Sequence, residues 1–409
     1  MAIQIIHASD IHFGSGEGHG RLNPDTGLNV RFEDFVAALA KVVDYALTNQ
    51  IDVFLFSGDA YRNASPEPIY QKMFARELKR LSDAGIHTIL LVGNHDQILR
   101  STSSHSMSVF QSLAVPKVIV IDQPTSCRID TAHGAFQLIG LPHVTRHQLM
   151  TLDKYADLPA AAVDMLLVER VEALLRSYYE DLDSSLPSVV TAHMTVDRAV
   201  AGIERELLIG YTMTFPSDIF VDKRLDYVAL GHVHKHQVIR PSAPAIVYAG
   251  SLERVDFGEQ DEDKGFVQVS LARGQTSFEF RSIDPRPFVT VELDLTRVSQ
   301  PTEKLCERVA KALTPGCVLR IRYRLRQEQL PDVDEDRVRA VASAALSVRL
   351  QPEIVLPEHR ARLPQLNETS TAAPLSALET YLDEVAPDRK DQLLRRGQEL
   401  MAQLESSES

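Results

Sequence analysis

Five short polar motifs interrupt this chain, and each stands directly behind an apolar run of single-strand length. They are Asp10-Ile11-His12, Gly58-Asp59, Gly93-Asn94-His95-Asp96, Ala192-His193 and Gly231-His232-Val233-His234. The runs are Ile3 to Ala8, Asp52 to Phe56, Thr88 to Val92, Ser188 to Ala192 and Asp226 to Leu230. Helical periodicity lies between them: Phe32, Phe35, Val36, Leu39, Val42, Val43 and Leu47 mark one helix face. Ile69, Met73, Phe74, Leu78 and Leu81 mark a second, with Ser65-Pro66 read as its N-cap and first turn. Strands alternating with helices predict a layered α/β architecture. Ligands of open α/β sheets bind at the C-terminal strand ends, so all five motifs are expected at one crevice. Residues i and i+2 of an extended chain share a side, which pairs Asp10 with His12 and His232 with His234.

The motifs hold two carboxylates (Asp10, Asp59), one amide oxygen (Asn94) and four imidazoles (His12, His193, His232, His234). Mixed oxygen and nitrogen donors suit Mn²⁺, Fe²⁺ or Zn²⁺ rather than Ca²⁺. Seven donors exceed what one ion takes from protein, and two ions sharing a carboxylate account for them. Such a pair lowers the pKa of a bound water and clamps the attacking and leaving oxygens of a phosphoryl centre.

The net charge of −13 is the wrong sign for nucleic-acid binding through bulk charge. A net of −11 falls on residues 1–284 and −2 on residues 285–409, so phosphate neutralisation needs metals, a local basic face or a partner. Cys127, Cys306 and Cys317 form no CxxC pair, which excludes a cysteine zinc site and a disulfide framework and fits a reducing cytosol. No run approaches the ~18–20 apolar residues of a membrane helix. No signal peptide is read, and a cytoplasmic protein is expected.

Asp284-Pro285-Arg286-Pro287 breaks the pattern and closes a first domain at residue 284. Residues 285–356 read as a small α+β unit: strand Phe288 to Leu295, helix Thr302 to Leu313, strand Val318 to Leu325, helix Asp334 to Leu346 and an extended Ser347 to Leu356. Residues 357–374 read as a polar linker, and residues 375–409 as two amphipathic helices.

The motif set DxH, GD, GNHD, H and GHxH resembles the calcineurin-like metallophosphoesterase superfamily. The resemblance implies a β-sandwich flanked by helices. It also implies two metal sites: Asp10, His12, Asp59 and His234 at the first, and Asp59, Asn94, His193 and His232 at the second. His95 is then the imidazole that serves the leaving oxygen, and Asp96 its neighbour in the same motif, read as a supporting residue. Further stretches resemble the SbcD nuclease subunits of bacterial SbcCD-type complexes. These are Asp25-Thr26-Gly27-Leu28-Asn29, Gly58-Asp59-Ala60-Tyr61, Tyr248 to Glu259 and Lys264-Gly265-Phe266. That likeness implies a Mn²⁺-dependent DNA exonuclease and endonuclease of repair, recombination and replication, with Mg²⁺, Fe²⁺ or Zn²⁺ as alternative metals. Its implied partners are DNA, a second copy of the chain and an SbcC-type ABC ATPase in a nucleoid-associated heterotetramer, with no membrane. The residue three beyond the bridging Asp59 is Arg62, where some relatives carry His; Arg can pair with phosphate.

Arg320, Arg322, Arg324 and Arg326 alternate with apolar residues, so one strand face carries all four. That face is either a DNA contact or a solvated sheet surface. The long loop from Phe13 to Val30 is a candidate DNA or dimer element, and His19 and His105 sit in stretches expected near the crevice, where they could touch substrate. The competing functions are a free-standing nucleotide phosphodiesterase, which needs no residues beyond 284, and a non-catalytic scaffold for the ATPase.

Overall fold

A computed structural model describes residues 2–97, 104–145, 158–200, 213–355, 374–385 and 387–407. The expected linker, apart from Pro374, and His147 lie outside them. In chain order the elements begin with β1 (Ile3–Ala8), α1 (Val30–Thr48), β2 (Val53–Phe56), α2 (Pro68–Asp83), β3 (His87–Leu91) and α3 (Ser108–Ser112). There follow β4 (Val118–Ile121), β5 (Thr125–Thr131), β6 (Gly134–Leu141), α4 (Ala160–Glu180), β7 (Ser188–His193), β8 (Thr195–Val196), β9 (Thr214–Phe215) and β10 (Tyr227–Gly231). Next come β11 (Gln237–Arg240), β12 (Ala245–Tyr248), β13 (Gly265–Leu271), β14 (Ser277–Ser282), β15 (Phe288–Asp294), α5 (Pro301–Ala312) and β16 (Val318–Arg326). The last are α6 (Glu335–Val341), β17 (Ser347–Val355), α7 (Pro374–Val385) and α8 (Lys390–Ser407).

Two six-stranded sheets, ordered β14-β13-β1-β2-β3-β4 and β11-β12-β10-β7-β6-β5, form the larger part. β1, β2, β3 and β4 run parallel, as do β6, β7, β10 and β12. Ile3, Ile5, Val53, Leu55 and Ile89 of the first sheet pack on Phe136, Leu138, Val189, Ala229 and Val247 of the second. The outer face of the first sheet meets α1 and α2 through Phe54, Phe56, Phe32, Phe35, Phe74 and Leu78. The outer face of the second meets α4 through Val190, Val228, Val171 and Leu175. Strands covered on both faces read as continuous apolar runs, because alternation appears only where one face is wet. This is the layered α/β sandwich.

Some boundaries differ from the sequence reading. The helix expected after Ser65-Pro66 starts at Pro68, with Glu67 at the N-cap and no side-chain capping bond. Pro68 itself supplies the N-terminal signal, since its fixed φ suits the first turn. The helix expected over 334–346 ends at Val341. The sequence reading assigns no strand at β5, β8, β9, β11, β13 or β14; β5, β11 and β14 are edge or polar strands with weak apolar patterns.

Two compact units divide the chain, 1–292 with 305–322 and 335–351, and 293–304 with 323–334 and 352–409. β15, β16 and β17 form a three-stranded sheet. In the smaller unit α7 and α8 pack on each other, close enough that a Cβ at Gly397 would meet the Leu378 side chain at 2.6 Å. Lys390 bridges Glu379 at 3.1 Å and Asp383 at 2.8 Å. Tyr381 and Leu400 remain exposed on this pair.

Candidate metal centre

Four of the motifs leave the strand ends and line a crevice of about 510 Å³ through His12, Asp59, His95, His232 and His234, beside Arg62, and His193 of the fifth lies 3.1 Å from Asp59 Oδ2. Strand alternation is not what aims them. β1 ends at Ala8 and β10 at Gly231, and Asp10, His12, Asp59 and His232 take φ values of +53°, +48°, +61° and +96°. Non-glycine residues visit this region at a cost of order 1–3 kcal/mol each, and such strain gathers at functional sites. Asp10 and His12 share one donor group as expected, though through left-handed turns rather than strand alternation, while His232 and His234 fall into different groups. Gly58 (φ +102°) precedes Asp59 in the same turn, where a Cβ would collide with the His193 ring.

The donors fall into groups. Ligand atoms of Asp10, His12 and His234 lie within 4.8 Å of one another, as do those of Asp59, His193 and His232. Asn94 joins the second group, its Oδ1 lying 3.0 Å from His193 Nε2 and 2.9 Å from His232 Nδ1. Asp59 Oδ2 faces both, 3.6 Å from His12 Nε2 and 3.1 Å from His193 Nε2. His95 also falls within 4.8 Å of His12 and Asp59.

Hydrogen bonds outside the cluster decide which ring nitrogens point in. His193 Nδ1 lies 2.7 Å from the Ser57 carbonyl, and His234 Nδ1 lies 2.7 Å from Glu259 Oε1. Each Nδ1–H donates outward, so a ring that carries a single proton turns its Nε2 lone pair into the site. That is the bracing metal-bound imidazoles show. The main-chain N–H of His232 donates to both oxygens of Asp10, at 3.2 and 3.0 Å, and fixes that carboxylate. Asp10 and Asp59 are 0% and 1% exposed, so the site holds two buried carboxylates. Burial opposes charge on His193, yet Asp59 outweighs it and pushes the imidazole up to about 9. Burial instead drives His12 and His232 down and keeps both neutral. A cluster of lone pairs that draws positive charge fits divalent cations.

His95 sits differently. It is exposed, its Nδ1 lies 2.8 Å from the Arg62 carbonyl, and its ring stands edge-on to His12 at 4.9 Å. Its own N–H donates to Asp59 Oδ1 at 2.9 Å. Arg62 therefore contributes through its main chain, while its exposed guanidinium lines the crevice. Asp96 is fully buried and accepts from the N–H groups of Asp59 (2.9 Å), Ala60 (3.2 Å) and Gly93 (3.1 Å) and from Ser106 Oγ (2.9 Å). It locks two motif turns together and does not reach the crevice. Burial, then the Asp59 charge, push it up to about 6.

Of the four arginines, Arg320 borders a neighbouring cavity. Arg322 pairs with Glu292 at 2.8 Å, Arg324 with Glu353 at 3.1 Å and Arg326 with Glu328 at 2.8 Å. They share one face as expected, with carboxylates beside three of them. Sequence reasoning passed over Glu259, Ser57 and His143. The His143 ring lies 6.1 and 5.9 Å from those of His193 and His232, with Nδ1 3.2 Å from the His193 carbonyl. Glu259 closes a stretch already singled out by resemblance, and that was its one signal.

Residues 3–236 match the family described as calcineurin-like phosphoesterase. The SbcD component of the SbcCD nuclease of Escherichia coli K12 is 25% identical over 310 residues, 74% of each chain. The DNA double-strand break repair protein Mre11 of Haloferax volcanii is 25% identical over 306 residues, 75% of this chain and 58% of its own. A Bacillus subtilis protein described as an uncharacterized metallophosphoesterase, YhaO, is 24% identical over 332 residues, 77% of this chain and 70% of its own.

Proposed function

The chain belongs to the calcineurin-like phosphoesterases, and on that premise we propose that it is a two-metal DNA nuclease of the SbcD type. The convergence of seven donors, with outward-braced Nδ1 atoms on His193 and His234, is the observation that carries this reading. The names of the relatives in Escherichia coli and Haloferax volcanii supply the substrate class. Asp10, His12, Asp59 and His234 would hold one ion, and Asp59, Asn94, His193 and His232 the other, with Mn²⁺ as the favoured metal. Ions bound there supply Lewis acidity and an ionised water. Asp59 ties the two sites together, Asp96 fixes the turns that present Asp59 and Asn94, and His95 holds a proton for the leaving oxygen. The Arg62 guanidinium meets substrate phosphate at the crevice rim.

Residues 1–284 form the nuclease domain in this reading, 285–356 the cap, 357–374 a linker and 375–409 the helices that dock on an ABC-type ATPase within a heterotetramer of two copies each. Tyr381 and Leu400, exposed on α7 and α8, supply apolar surface for that contact. Among the described residues no helix is long and apolar enough to cross a membrane. The deciding experiment is cleavage of end-labelled double-stranded DNA with and without Mn²⁺, the ATPase and ATP. Metal-dependent cleavage is expected. Hydrolysis of nucleotide diesters with no cleavage of DNA would assign the site to a nucleotide phosphodiesterase, and binding of the ATPase with no hydrolysis would leave a scaffold.

A further inference from the structure

A second cavity, of about 470 Å³, adjoins the metal crevice; its walls include His19, Asp256, Phe257, Arg320, Arg349 and Gln351. His19 and Asp256 line both hollows, so the two are continuous along one wall. The loop that carries His19 is fixed: its carbonyl accepts from Ser347 Oγ at 2.5 Å, and its ring stands edge-on to Phe257 and Phe288 at 5.2 and 5.6 Å.

The charges in this wall do not balance. Arg320 lies 4.3 Å over the Phe257 ring and donates Nη2–H to Thr290 Oγ1 at 3.1 Å. Its Nε is buried without a hydrogen-bond partner. Arg349 is exposed and makes no hydrogen bond or ion pair among the described residues. Asp256 is the one carboxylate in the wall, and its Oδ1 already accepts the Gly258 N–H at 2.7 Å. Burial lowers Arg320, and the like charges of Arg322 and Arg349 add to it, while Glu292 and Asp256 act against it. Two guanidiniums with spare donors, one stacked on an aromatic ring, make a seat for a planar or tetrahedral oxyanion. Arg322, by contrast, is satisfied by Glu292 on the neighbouring strand.

We propose that this cavity is a phosphate subsite, in which Arg320 and Arg349 hold a backbone phosphate flanking the one presented to the metal centre. The proposal rests on the phosphodiesterase reading and deepens it. The substrate is a strand with phosphates beside the scissile one, and a lone diester leaves the subsite empty. Arg320 and Arg349 act here as binding residues, remote from the reacting atoms.

The test is fluorescence anisotropy of a short fluorescent oligothymidylate with the full-length, chelator-treated protein over a range of salt concentrations. Arg320→Gln/Arg349→Gln should weaken binding about 10-fold and lower the salt slope by about 0.7 for each phosphate no longer neutralised. Arg349→Glu alone, at an exposed position, should weaken it at least as much as Arg349→Gln. Arg128→Gln, an exposed arginine paired with Asp130 at 2.8 Å on β5, should bind like wild type. Thermal unfolding reports whether each variant is folded. Equal affinity for wild type and the double variant, no binding by wild type, or an equal loss in Arg128→Gln would each overturn the subsite. A Mn²⁺-loaded wild type that binds the strand but never cleaves it would instead overturn the phosphodiesterase reading and leave the subsite standing.

Discussion

His234 Nδ1 lies 2.7 Å from Oε1 of Glu259, whose other oxygen meets the Lys264 ammonium at 2.9 Å. Burial alone would raise the Glu259 carboxyl, but His234 and Lys264 outweigh it and hold it well below the usual carboxylate range. An ionised Glu259 keeps the proton on Nδ1 and the lone pair on Nε2. Glu259→Ala should therefore lower divalent-metal affinity about 10- to 100-fold, and Glu259→Gln, whose amide oxygen still accepts, should lower it less. Calorimetric titration of Mn²⁺ into the chelated protein measures both. Equal affinity in all three proteins would show that the bond does not orient the ligand.

The proposed roles of Asp59 and His95 divide metal binding from turnover. Asp59→Ala should empty both sites and abolish hydrolysis, because its carboxylate faces both donor groups. His95→Ala should retain metal and lose about 10²- to 10⁴-fold in kcat. Metal analysis alongside single-turnover cleavage separates the two. An empty His95→Ala beside a loaded Asp59→Ala would reverse the assignment.

Asp96→Asn replaces a carboxylate that accepts three main-chain N–H groups and one hydroxyl. One amide oxygen cannot serve all four, and the amide nitrogen would face donors. Unfolding free energy should fall by about 2–3 kcal/mol, read from urea denaturation. Metal affinity should fall with it, since the turns before Asn94 and at Asp59 loosen.

His7 gives a pH signature. It is wholly buried between the sheets, 3.0 Å from the Tyr227 hydroxyl, and burial drives it from 6.5 down to about 3. The folded state keeps the ring neutral while the unfolded chain protonates it. Its contribution is complete above pH 6.5 and is lost as pH falls toward 3. His7→Gln should flatten the stability curve in that window by up to one proton, as measured by denaturant unfolding across the pH series. A slope equal to wild type would show that His7 is already charged or exposed in the folded state.

Much of the fold was legible because its signals are local. The bounds of β1, β4 and β12 coincide with their apolar runs, and the donors of the candidate metal centre stand where each run stops. The edge strands β5, β11 and β14 were hidden because a strand with one wet or open side has no need of a continuous apolar run. The arginine stripe of β16 was legible as a shared face. The pairing of Arg322 was not, because Glu292 lies on another strand, 30 residues away.

The sequence by itself determined the donor inventory and the position of each donor at a strand end. Covalent adjacency and hydrophobic period act over a few residues and need no partner from elsewhere. Only the tertiary structure decided how those donors are aimed. The turn that sets Asp59 at φ +61° is held by Asp96, and the Nδ1 of His193 is claimed by a carbonyl 136 residues away. The lone pair of His234 is likewise freed by Glu259, 25 residues further on. A hydrogen bond between remote residues exists only once packing brings them within 3 Å or so, and no local pattern encodes it.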